Sequence, residues 1–311
     1  MGAAIRCAHE KKFAPAIDSE PSGLGAGHVP LHTRNPTGRR IDKEQTNRVN
    51  QCLIPGGTMT YQSFGVLQVP RADTSVESLS PKPRAILALL MINIGRAVHV
   101  DDLVDEVWGD DPPNSALRTL QTYIYQIRRA FGRPPGPEIV TRPLGYELAG
   151  VPTDVDAHRF TQLIHHARRT DEGREAASSL LKEALELYKD TPFVDVWPGP
   201  RILAYRERLA EMRLCATEHL IAMNIEAGRH REAVEELRPL IREHPLNELL
   251  NGYLMYSLAA TGRRQEALDV YATLRQGMID ELGLEPCAPL MRLQKQVLSA
   301  DALVLPFAEA R

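Results

Sequence analysis

A chain of 311 residues, 43% hydrophobic and 25% charged, is long enough for two globular domains and a large buried core. No apolar run approaches the ~20 residues of a membrane span. The start lacks the apolar core of a secretory signal, and Cys7, Cys52, Cys215 and Cys287 are scattered without redox or metal-ligand spacing. A reducing cytoplasm is expected. The net charge of −3 excludes a uniformly basic nucleic-acid binder, so any such surface has to be local.

Residues 1–58 hold seven Gly and five Pro, with eight Lys/Arg against five Asp/Glu. The stretch PSGLGAGHVPLHTRNPTGRR has too few apolar residues to offset the entropy of ordering, so 1–58 is expected to be a disordered extension. Gly56-Gly57 resembles a translated ribosome-binding sequence, which makes Met59 the expected true start. His28 and His32 lie four apart without a third ligand, and no metal site is expected.

From Met59 the texture changes. YQSFGVLQV (61–69) alternates as a strand does, and a second short strand is expected around Thr74 to Leu79. Ser80-Pro81 opens a helix, a hydroxyl cap followed by proline in the first turn. It runs through PKPRAILALLMINI to Gly95. Asp101 is expected to cap a second helix, DDLVDEVW, with Leu103, Val104, Val107 and Trp108 facing inward.

After the turn GDDPPN comes SALRTLQTYIYQIRRAF (115–131). Leu117, Leu120, Ile124, Ile127 and Phe131 recur at threes and fours and are expected to form one core-facing stripe. Asn114 or Ser115 caps the start; Gly132 and Pro134 stop the end. The opposite face carries Ser115, Arg118, Thr119, Thr122, Tyr125, Gln126 and Arg129, side-chain types that hydrogen-bond base edges and phosphates. EIVTR and YEL then flank Pro143-Leu144-Gly145 as a β-hairpin bearing Thr141 and Arg142. Charge is polarised along this segment. Asp101, Asp102, Asp105, Glu106, Asp110 and Asp111 fill one stretch, whereas Arg118, Arg128, Arg129, Arg133 and Arg142 face only Glu138 up to Gly145. Strands, three helices and a hairpin make the order of a winged helix-turn-helix, whose third helix enters the major groove.

Beyond Pro152 every segment has helical spacing. GRHREAVEEL (228–237) repeats as GRRQEALDVY (262–271), offset by 34 residues, with a weaker copy at 172–181. That period points to a tetratricopeptide-like solenoid. The expected fold is therefore mainly α: a winged helix over 59–150, an all-α repeat domain over 151–300 and a tail over 301–311. The front segment, 59–150, is expected to bind DNA alone. No phosphate-binding loop and no defensible Ser/His/Asp or Cys/His set occurs, so neither an enzyme nor a cofactor is expected. His165-His166 reads as a solvated or core pair, and Cys215 as a small buried apolar residue. The alternative is a helical-repeat scaffold whose front module contacts protein. It gives no reason to align Arg118, Thr122, Gln126, Arg129 and Arg142.

The runs LSPKPRAILALL, DDLVDEVWGDDPPNSALRTLQTYIYQIRRAFG, VTRPLGYEL, VDAHRF, LLKEALELY, GRHREAVEELRPLIREHPLNE and GRRQEALDVYATLRQGMIDELGLEP closely resemble the Streptomyces antibiotic regulatory protein family, in order, from about Tyr61 to Leu298. The resemblance implies an OmpR-type winged helix and a bacterial transcriptional activation domain, in a small member without a following ATPase or sensor. It implies activation of an antibiotic or other secondary-metabolite cluster, through direct repeats in double-stranded promoter DNA near the −35 region. It further implies side-by-side pairs on DNA, contact with RNA polymerase and its sigma factor, and a cytoplasmic, nucleoid-associated protein. Carried over residue by residue, it puts Thr122 and Gln126 at major-groove positions, Arg118, Thr119 and Arg129 near phosphates, and Arg142 in the wing. Tyr125 and Gln126 depart from the basic residues common there, so base preference does not transfer.

Overall fold

The computed structural model describes residues 61–69, 76, 78–132, 137–170, 173–299 and 301–307. The expectations for 1–58, Arg133 and Pro134 lie outside them, as does half of the strand expected at Thr74–Leu79. Leu79 itself lies in a turn, its amide donating to the Val76 carbonyl at 3.2 Å.

The front of the chain folds as α1 (Pro81–Ile92), β1 (Val98–His99), α2 (Val100–Trp108), α3 (Ala116–Phe131), β2 (Ile139–Arg142) and β3 (Gly145–Leu148). The sheet is antiparallel with order β1-β3-β2, pairing Val98 with Tyr146 and Thr141 with Tyr146. β2 is therefore an edge strand. Gly145 is where β1 crosses the hairpin: a Cβ built there would stand 1.8 Å from the Val98 carbonyl oxygen, so only glycine fits.

Helix starts differ from the sequence reading in detail. His99, not Asp101, is the N-cap of α2, its ring accepting from the Asp101 amide at 3.4 Å. Asp101 sits inside the first turn, where its charge still suits the helix dipole. Ser80 and Ser115 occupy N-cap positions without a side-chain capping bond.

Segment 61–69 does not build a regular strand. It folds back on itself through Gln62–Gln68, and Tyr61 and Phe64 bridge singly to Val155 and Pro192. The buried Asp156 carboxylate accepts from the Ser63 amide at 2.8 Å, the Phe64 amide at 3.1 Å and the Ser63 hydroxyl. A buried charge needs such partners. Phe64 packs its ring edge-on against Phe160 at 5.5 Å and tilted against Tyr188 at 4.6 Å.

The remainder is helical: α4 (Asp156–Arg169), α5 (Arg174–Leu187), α6 (Pro200–Glu226), α7 (His230–Glu243), α8 (Glu248–Ala260), α9 (Arg264–Leu282) and α10 (Ala288–Ser299), each packed on its neighbour in sequence. The two copies of the repeat superpose in role. Gly228 and Gly262, at φ +78° and +82°, each end one helix, and buried Ala233 and Ala267 let the next pack closely. Cys215 departs from its expected burial; it is half-buried, with its thiol 3.5 Å from Glu211 Oε1. Of the C-terminal tail, Leu303, Leu305 and Phe307 pack onto the rear core.

Two hydrophobic cores run through this body, and the seam between them falls within α6. The first gathers residues from Tyr61 to Met223 and so unites the winged helix with α4, α5 and most of α6; the second spans Ile221 to Val297. Polar groups lock the winged helix to the segment that leads into α6 and to its N-terminus. Arg84 of α1 ion-pairs with Asp195, whose other oxygen accepts from the Leu67 amide at 2.9 Å. Glu106 of α2 caps the N-terminus of α6, accepting from the amides of Gly199 at 2.8 Å, Arg201 at 2.9 Å and Ile202 at 3.3 Å. Burial raises the Glu106 pKa despite these bonds. Beside it Asp102 pairs with Arg201.

Candidate nucleic-acid interface

α3 lies with Ala116, Leu120, Ile124, Ile127, Ala130 and Phe131 in the core. Trp108 of α2 stacks on Tyr123 with ring centroids 6.0 Å apart, fixing the helix from the side. Leu117 departs from the expected stripe. The helix begins at Ala116, which fills the core position, and Leu117 turns outward, 59% exposed, on the same flank as Gln121 and Arg128.

The outward face carries Arg118, Thr122, Tyr125, Gln126 and Arg129, all exposed, with Thr119 half-exposed at its edge. Tyr125 is 64% exposed, far more than a packed tyrosine. The Thr122 hydroxyl donates to the Arg118 carbonyl at 3.1 Å, which leaves its methyl group and hydroxyl lone pairs for an outside partner. The described structure thus brings six of the eight candidate residues onto one helix face.

The other two, Thr141 and Arg142, sit on the exposed end of β2, and each already has a protein partner. Thr141 Oγ1 accepts from Arg128 Nη2 at 2.9 Å. Arg142 Nε donates to Glu147 Oε2 at 2.7 Å, and that hydrogen bond raises the Arg142 pKa further. Glu147 lies just beyond the window in which only Glu138 opposed the arginines, so the positive surface is weaker at the wing than the local count implies. Arg128, counted there as surface charge, is turned sideways into the hairpin. Gln121, Leu117 and the exposed wing-turn Leu144 also border the face. In the sequence Gln121 and Leu144 lay off the core stripe, and Leu117 was counted on it.

Comparison with known proteins agrees with both halves of the architecture. The family described as "Transcriptional regulatory protein, C terminal" matches residues 74–148, and the bacterial transcriptional activator domain matches 155–298. Regulatory protein DnrI of Streptomyces peucetius is 37% identical over 253 residues, covering 78% of this chain and 93% of that one. Transcriptional regulator RedD of Streptomyces coelicolor is 31% identical, covering 80% and 73%. Regulatory protein AfsR of Streptomyces coelicolor is 37% identical over 79% of this chain, but this chain spans only 25% of AfsR. Among solved structures, Mycobacterium tuberculosis EmbR in complex with a low affinity phosphopeptide superposes with a TM-score of 0.67 at 28% identity, covering 79% of this chain and 66% of that one. These relatives are regulators rather than enzymes. With a winged helix whose third helix shows a polar outer face, a tetratricopeptide-like body behind it, and kinship along most of its length, the chain belongs to the Streptomyces antibiotic regulatory protein family of transcriptional activators.

Proposed function

We propose that this activator binds promoter DNA by laying α3 in the major groove with the β2–β3 wing beside it. It recognises direct repeats near the −35 region as side-by-side copies, controls a secondary-metabolite cluster, and recruits RNA polymerase with its sigma factor. In this reading 59–150 carries recognition, 151–300 carries the polymerase contact, and the protein acts in the cytoplasm at the nucleoid. The observation that carries it is the outward face of α3, where Arg118 and Arg129 flank Thr122, Tyr125 and Gln126 on a helix whose other side is fully packed. Phosphate contacts give affinity, and the amide and hydroxyl groups between them suit base edges.

A gel shift at low and at physiological salt tests this. Binding to the promoter repeats is expected to weaken steeply with salt. Arg118→Ala with Arg129→Ala is expected to reduce the slope by roughly 0.9 for each phosphate that is no longer neutralised. Salt-independent binding, or none, contradicts the proposal and favours a front module that contacts protein.

A further inference from the structure

We propose that Arg128 is a positioning residue that braces the wing against α3 and does not itself touch DNA. The inference rests on the DNA-binding reading above. Arg128 lies on the flank of α3 that meets the hairpin. Its Nε and Nη2 both donate to the Ile139 carbonyl, at 3.1 and 2.7 Å, and Nη2 also reaches Thr141 Oγ1 at 2.9 Å. The guanidinium carbon stands 6.0 Å from the centre of the Tyr146 ring, across the ladder from Thr141.

One side chain therefore grips both strands of the hairpin. The place matters because of the sheet order. β3 is held by β1 on one side, and the wing turn is anchored where the Val100 amide donates to the Leu144 carbonyl at 3.0 Å. β2 is the outer strand, and Arg142 is at its end. The fork from Arg128 ties that strand to the recognition helix itself. It sets how far the wing contact stands from the groove-facing residues of α3.

A guanidinium can do this and an ammonium cannot. The planar fork serves two acceptors at fixed angles, whereas lysine offers one compact charge on a flexible stem. A phosphate contact would behave in the opposite way, since lysine binds phosphate well.

Three measurements on the full chain separate the roles. In the free protein, Arg128→Lys is expected to speed amide hydrogen exchange in 139–148 while leaving the buried half of α3 protected; unchanged exchange in the hairpin overturns the brace. On a mixed-sequence duplex, Arg128→Lys and Arg128→Ala are both expected to lose about tenfold in affinity, the scale of one charge-assisted hydrogen bond. Near-wild-type binding by Arg128→Lys identifies a phosphate contact instead. In an Arg142→Ala background, Arg128→Ala is expected to cost less than about twofold, because its effect passes through the wing; additive losses overturn that route. If the wild-type chain does not bind the duplex, the DNA-binding reading fails, and the exchange result alone decides whether Arg128 braces the hairpin.

Discussion

Cut after Gly150, the front segment is expected to lose its cooperative fold, which reverses the sequence-based expectation that 59–150 binds DNA alone. The winged helix does not own its core. Phe64 and Leu67 are buried against a framework that includes Phe160, Tyr188 and Phe193, and α1 and α2 both touch α6. Re-exposing two such side chains costs about 1.5–3 kcal/mol each. Separating Arg84 from Asp195, and Glu106 from the α6 amides, removes charge-assisted bonds worth about 1.5–3 kcal/mol apiece. The total is comparable with the whole ~5–15 kcal/mol stability of a domain. A fragment that continues through α6 to Gly228 keeps the entire first core. It is expected to melt cooperatively and to bind DNA, while the 59–150 fragment melts broadly or aggregates. Thermal unfolding followed by circular dichroism compares the two directly. A sharp transition from the shorter fragment would show that the cores are separable.

Gly145→Ala is expected to have the largest effect of any single methyl group added to the winged helix. The new Cβ would stand 1.8 Å from the Val98 carbonyl oxygen, 2.8 Å from the Val98 carbonyl carbon and 3.1 Å from His99 Cα. All three are backbone atoms, so no side-chain rotation relieves the clash. β1 and β3 must part, and with them the register that places the wing. Overpacking of this kind costs about 1–3 kcal/mol, and more where backbone must move. Loss of several degrees in Tm together with loss of DNA binding is the expected result. An unchanged Tm would mean that β1 does not approach the hairpin this closely.

Most of the architecture was legible in the residues because periodicity and turn chemistry agreed. The core face of α3 was readable from Leu120 to Phe131, and the solenoid from the 34-residue echo of GRHREAVEEL. What was not legible depended on partners distant in sequence. Leu117 matched the spacing, but a stripe is an average over a helix. At its first turn the neighbouring Ala116 took the core position. Arg128 and Arg142 each added one to a positive count, yet their partners, Ile139, Thr141 and Glu147, come from the hairpin and divert them. The joint core had a signal that periodicity hides: AILALLMI in α1 is apolar on every side, as a helix is when it is covered all round. Glu106 as the cap of a helix 93 residues away has no sequence signal of its own.

The outward face of α3 is expected to read base sequence while the wing contributes general affinity. Binding of two variants, Gln126→Ala and Arg142→Ala, to a panel of single-base changes in the promoter repeats tests it most directly. Gln126 is exposed in the middle of the face, and an amide can pair bidentately with adenine. Its loss is expected to cost roughly 1–3 kcal/mol on the intact repeat and to flatten discrimination at one base pair. Arg142, shared with Glu147 on the wing, is expected on loss to weaken all sequences about equally, with a shallower salt dependence. If Gln126→Ala leaves the base preferences intact and Arg142→Ala changes them, the reading surface is the hairpin and not α3.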